Sequence, residues 1–295
     1  MLRITNFFRI LTYIIFILLT GLVKNLLGAT NPSNPYIINT NSTANSVLDL
    51  IDTAPSTHDR FWIKGSYVRG AQGDTEYILE NTANYGVVQA GVSLLDFNSE
   101  ELHRRFLLSL SIGTAVGTLD QDLNNQDFTG YDVALQEQFF LGDYFLSFAE
   151  IYLNQKYKDS LFDGPTDTYN NMLYNGQFGR HFIYKYAVFT PEVFYTIGNN
   201  FDDNDDKFFN QEYGFRATLS MRGRFAPYLY FEDSENKQEL YDRNEIKDNI
   251  TTWAAGMNYI GKRIIINVNY SYEHYQDSSY NEGELYAGIR YNVHK

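Results

Sequence analysis

The chain has 295 residues, a formal net charge of -13 and no cysteine. The missing cysteines exclude disulfides, thiolate metal sites and thiol nucleophiles. The acidic balance excludes a nucleic-acid partner, whose phosphates would repel the chain.

Residues 1–29 read "MLRITNFFRILTYIIFILLTGLVKNLLGA". Arg3 and Arg9 precede an apolar run over residues 10–23, and the small Ala29 follows. The run is shorter than the roughly 20 residues a spanning helix needs, so the segment reads as a cleaved export signal. No other apolar stretch is that long. The remainder is therefore either secreted and soluble or a barrel that crosses a membrane with strands. Residues 30–44 are polar, carry two prolines and read as a linker too short for a folded module. "NSVLDLID" (45–52) puts Val47, Leu48 and Ile51 on one helical face with Ser46 as N-cap, which predicts a short amphipathic helix.

From Phe61 the apolar period becomes two. In "EYGFRATLSM", Tyr213, Phe215, Ala217, Leu219 and Met221 face one way, and Glu212, Gly214, Arg216, Thr218 and Ser220 the other. "IIINVNYSYE" sets Ile264, Ile266, Val268, Tyr270 and Tyr272 against Asn267, Asn269, Ser271 and Glu273. Val88, Ala90, Val92 and Leu94 form another such series, as do Phe106, Leu108, Leu110 and Ile112. Twelve strands follow, centred near residues 64, 90, 109, 134, 149, 174, 190, 216, 228, 256, 269 and 289. The fourth places Glu137 on the apolar side, which leaves its register open.

Connections alternate in length. "LGDY", "MRGRF" and "IGKR" are tight hairpins with Gly142, Gly223 and Gly261 available for the turn. "DFNSEE" and the stretch near "GRH" are also short. Longer polar connections are predicted near 70–82, 119–128, 157–167, 198–209, 232–249 and 275–283. Alternating short turns and long loops is the pattern of an up-and-down outer-membrane barrel. A soluble sandwich gives no reason for it. Aromatic residues are 17% of the chain, with Tyr 25 and Phe 22 but only Trp 2. Tyrosine on that scale suits a water–lipid boundary, because its ring is apolar and its tip polar. The last strand, "LYAGIRYNVHK", runs almost to Lys295. In a closed barrel it must pair with the first strand, because an open edge in hydrocarbon leaves backbone groups unsatisfied.

This order of segments resembles the translocator barrel of autotransporters (type V secretion) over residues 45–295. The 45–52 helix followed by "FWIKGSYVRG" is similar to the family's lumenal helix and first strand. "NYGVVQAGVSLL" resembles its second strand, and "VFTPEVFYTIG" and "RFAPYLYFED" its strands with a central proline. "ELYAGIRYNV" resembles its final strand, which doubles as the signal read by the barrel-assembly machinery. Tyr286, Gly288, Tyr291 and Val293 fit that signal, although the family usually ends on an aromatic residue and this chain ends on His294 and Lys295. The resemblance implies an all-β, closed antiparallel barrel of about 12 strands with a short N-terminal lumenal helix. It implies a monomer in outer-membrane lipid that anchors itself there and conveys or displays the short segment before the barrel. That segment holds no passenger of the family's usual size.

Little in the sequence points to chemistry. His58, His103, His181, His274 and His294 do not fall at metal-ligand spacing. His274 follows the outward tyrosines 270 and 272 but has no serine motif beside it. "FDDNDDK" (201–207) lacks the calcium-loop pattern. No cofactor motif occurs, and the protein is not expected to be an enzyme. The charges expected to point into the lumen are Lys64, Glu150, Glu192, Arg216, Glu232, Glu273 and Arg290. They read as an internal salt-bridge network or as the determinants of pore selectivity. A passive pore, or a structural or adhesive barrel acting through its loops, is the alternative to the autotransporter reading. An outer-membrane hydrolase ranks below both.

Overall fold

The computed structural model describes residues 61–72, 81–99, 104–121, 124–159, 167–200, 209–239, 245–276 and 280–293. The export signal, the linker and the 45–52 helix lie outside these residues.

Apart from the tight turns, the described residues are strand. The elements are β1 (Phe61–Gln72), β2 (Asn81–Ser99), β3 (Arg104–Gln121), β4 (Asn124–Leu141), β5 (Tyr144–Asp159), β6 (Asp167–Arg180), β7 (Phe182–Ile183), β8 (Ala187–Asn200), β9 (Phe209–Met221), β10 (Phe225–Glu239), β11 (Glu245–Ile260), β12 (Ile264–Tyr275) and β13 (Tyr280–Val293). β7 is a two-residue ladder inside the connection from β6 to β8. The other twelve pair antiparallel, each with the next. β6 pairs with β8, and β1 pairs with β13 from Phe61↔Val293 to Gln72↔Glu282. The sheet therefore closes on itself as a 12-stranded barrel, and every strand has two neighbours. Closure satisfies the backbone without water, as hydrocarbon requires.

Burial alternates along each strand. Ile63, Val88, Ile112, Leu229, Trp253 and Ile289 are at least half exposed, and the residues flanking each of them are buried or half-buried. The exposed register is apolar and aromatic, so the outer wall is built for lipid, while the enclosed register is mostly polar. Side chains fill the interior at points of close approach. A Cβ at Gly91 would fall inside the Trp62 indole that lies opposite it on β1, so only glycine fits there.

Short turns sit at one end of the barrel. Gly142, in the β4–β5 turn, has φ 60°, and Gly223, between β9 and β10, has φ 147°; both lie in the region that favours glycine. The other end differs from expectation. The segment 119–128 is not a loop, because Leu119, Asp120 and Gln121 pair with Gln126, Asn125 and Asn124. Likewise β10 continues to Glu239 and β11 begins at Glu245. Polar residues there are strand because the ladder runs on beyond the apolar band. A bulge between Ser93 and Leu95 breaks the series that was read through Leu94. Leu94 and Leu95 both stay exposed as a result.

Glu150 requires a correction. It pairs with Leu135 on β4 and Tyr174 on β6. Those residues share a face with Val133, Tyr144 and Phe178, all exposed. Cross-strand partners point to the same side, so Glu150 lies on the outer wall. The enclosed residues beside it are Ala149 and Ile151, which cluster with Ala134, Leu153 and Leu173. Glu137 also faces outward, paired with Leu108 and Phe148.

Candidate functional site

The enclosed face carries two groups of charges, separated along the barrel axis. At the turn end, Lys64 and Arg290 are direct cross-strand partners, 4% and 6% exposed. Like charges opposite each other repel. Aromatic faces offset this here: Lys64 Nζ stands 4.9 Å over the Tyr286 ring and the Arg290 guanidinium 4.9 Å over Trp62. Arg290 Nε also donates to Asn292 Oδ1 at 2.8 Å. Gln89, beside Lys64 on β2, donates to Asp132 Oδ1 at 3.1 Å.

Towards the loop end the charge reverses. Arg216 on β9 forms an ion pair with Glu192 on β8, and its guanidinium lies over Phe194. Glu232 on β10 pairs in register with Arg216 and accepts a hydrogen bond from Tyr230. Ser234 donates to Glu212 Oε1 at 3.1 Å. Glu273 on β12 accepts from Tyr275 at 3.0 Å. Asp248 and Asn236 are buried beside them. Sequence reading placed Glu212 on the face of Arg216 but did not place Asn236 or Asp248 in the lumen, because 232–249 was assigned to a loop. Among the described residues, no three acidic or histidine side chains converge closely enough to hold a metal ion.

The remaining named residues sit as follows. Tyr286 is buried, Gly288 lies on the same enclosed register, and Tyr291 and Val293 are each 40% exposed on the outer register of β13. His274 is exposed with its Nδ1 2.8 Å from Asn281 Oδ1. Residues 201–207 lie outside the described chain.

No family profile and no curated protein matches the sequence. Solved structures do match the fold. The transport unit of the autotransporter AIDA-I from Escherichia coli superimposes with a TM-score of 0.61 at 17% identity, covering 89% of this chain and 99% of that one. The translocator domain of the autotransporter NalP from Neisseria meningitidis gives 0.59 at 10% identity, over 86% and 96%. An outer membrane channel from Pseudomonas putida F1 gives 0.61 at 10% identity, over 80% and 98%. A closed barrel with an apolar outer wall and a polar lumen, matched to these neighbours, defines an outer-membrane β-barrel. Its fold is that of autotransporter translocator domains and is shared with outer-membrane channels.

Proposed function

We propose that the chain is an autotransporter-type barrel that anchors in the outer membrane and conveys or displays the segment N-terminal to it. One observation carries this reading. β1 starts at Phe61 opposite Val293, at the turn end. With the short turns periplasmic, residues before Phe61 enter the barrel region from the periplasmic side. They reach the cell surface only through the lumen. The enclosed apolar patch of Ala134, Ala149, Ile151, Leu153 and Leu173 suits the apolar face of Val47, Leu48 and Ile51. In this reading Tyr286, Gly288, Tyr291 and Val293 form the signal for the assembly machinery.

The test is a cysteine at Asn41. Display requires it to react with an impermeant maleimide on intact cells; protection until the outer membrane is permeabilised refutes display.

The pore reading is favoured by the polar enclosed face. It is separated by deleting residues 31–55. If the segment occupies the lumen, the deletion leaves a folded, heat-modifiable barrel whose single-channel conductance in planar bilayers rises. Unchanged conductance favours an open pore.

A further inference from the structure

The loop-end half of the lumen has the chemistry of a binding site. Glu212, Asn236 and Asp248 form one rung across β9, β10 and β11. They are 8%, 5% and 6% exposed. Four residues nearer the turn end, Glu232 forms a second rung with Arg216 and Thr252, and Thr252 pairs with Glu273 on β12. Glu212 feels the charges of Glu232, Glu273 and Arg216. Among the described residues on the inner face of β9–β12, Arg216 is the one cation, and it is held by Glu192. The second observation is independent of charge. Asn236 Oδ1, on the first rung between Glu212 and Asp248, is buried with no hydrogen-bond partner. Buried polar atoms of this kind are rare unless something else supplies the bond.

We infer that this rung pair binds an organic polycation with spaced alkylammonium groups, of the polyamine class. The spacing selects against a metal ion. Two inter-strand spacings separate Glu212 from Asp248, about 10 Å, and four residues separate the rungs, about 13 Å. Among the described residues no three carboxylates or histidines converge closely enough to hold one ion, whereas ammonium groups along an extended chain can meet acceptors on both rungs. A terminal ammonium has three donors, an internal one has two, and neither has an acceptor, which matches carboxylates and an amide oxygen. The chain's own N-terminal segment does not supply the charge: the one lysine or arginine between residues 30 and 60 is Arg60, next to Phe61 at the turn end. The site goes beyond the proposed display function and stands whether the lumen conveys a segment or acts as a pore.

The experiment is calorimetric titration of the full-length refolded barrel in detergent micelles with spermidine, at about 0.15 M salt so that general screening is constant. The expected result is saturable binding. The pair Glu212→Gln and Asp248→Asn, together, should weaken it at least tenfold, with heat-modifiability retained. Asn236→Leu, which changes no charge, should weaken it severalfold and serves if the double variant fails to fold. The outer-wall variant Glu150→Gln should leave it unchanged. Absent saturation, undiminished affinity in Asn236→Leu, or equal competition by magnesium would overturn the site. Binding of a tri-lysine peptide without binding of spermidine would overturn the polyamine assignment.

Discussion

Glu137 and Glu150 are exceptions on the outer wall. Each faces the lipid side among Leu108, Leu135, Phe148 and Tyr174. Glu137 lies four residues and Glu150 six residues from the β4–β5 turn. At about 3.3 Å per residue and a tilt near 40°, they stand roughly 10 and 15 Å above the turn, inside an apolar band about 25 Å tall. An ionisable group there is costly, though carboxylates cost less than the 2–4 kcal/mol of lysine or arginine. Glu150→Leu should therefore raise the urea midpoint of the barrel in vesicles, by up to about 2 kcal/mol of stability. A loss of stability would mean that Glu150 meets a polar partner within the membrane. The glutamate was misread from sequence because β5 alternates ambiguously. Phe145, Ala149, Ile151 and Leu153 make one apolar series, and Leu146, Phe148 and Tyr152 make another. Only pairing with β4 and β6 decides between them, and pairing is not visible in one segment.

At the scale of elements, the final strand sets the sharpest test of register. Tyr291 is exposed and Asn292 is 1% exposed. Tyr291→Lys places a charge on the lipid side near the turn end. It should cost less than the 2–4 kcal/mol of a mid-bilayer lysine, and it should lower the amount of barrel assembled in the outer membrane. Asn292→Asp keeps the acceptor for Arg290 Nε and adds a charge opposite to those of Lys64 and Arg290. It should be neutral or stabilising in urea unfolding. Asn292→Lys would add a third cation to that pair and should destabilise despite pointing inward. If Tyr291→Lys were harmless and Asn292→Asp damaging, β13 would be shifted by one residue, which reverses every side-chain direction in it. Strands such as β9 and β12 were legible because their two faces differ in polarity over most of their length. β7 was not, since two residues carry no period. Arg216, Glu232 and Glu273 of the second loop-end rung were legible as inward charges, but Asn236 and Asp248 of the first were missed for a related reason. Ser234, Asn236 and Asp248 face an enclosed polar lumen, and polar residues on both faces of a strand look like a loop.

The whole molecule combines closure with end-to-end asymmetry. Tight turns, both termini of the described barrel and the Lys64–Arg290 pair lie at one end; Glu212 and Asp248 lie towards the other. Closure, made by β1 pairing with β13, was legible from twelve alternating strands that would otherwise leave an open edge in hydrocarbon, and the orientation is read from loop lengths even though one loop, after β3, is as short as a turn. Labelling on intact cells tests the orientation. Asp203 falls in the connection between β8 and β9, at the loop end. Asp143 falls in the β4–β5 turn and is exposed. It is a better position than Gly142, whose φ of 60° disfavours a side chain. Asp203→Cys should react with an impermeant maleimide on whole cells, and Asp143→Cys should react only after the outer membrane is permeabilised. The chain has no native cysteine, so each signal reports one site. The reverse pattern would turn the barrel over: the loop-end carboxylates would face the periplasm, and residues before Phe61 would start outside the cell with no need of the lumen.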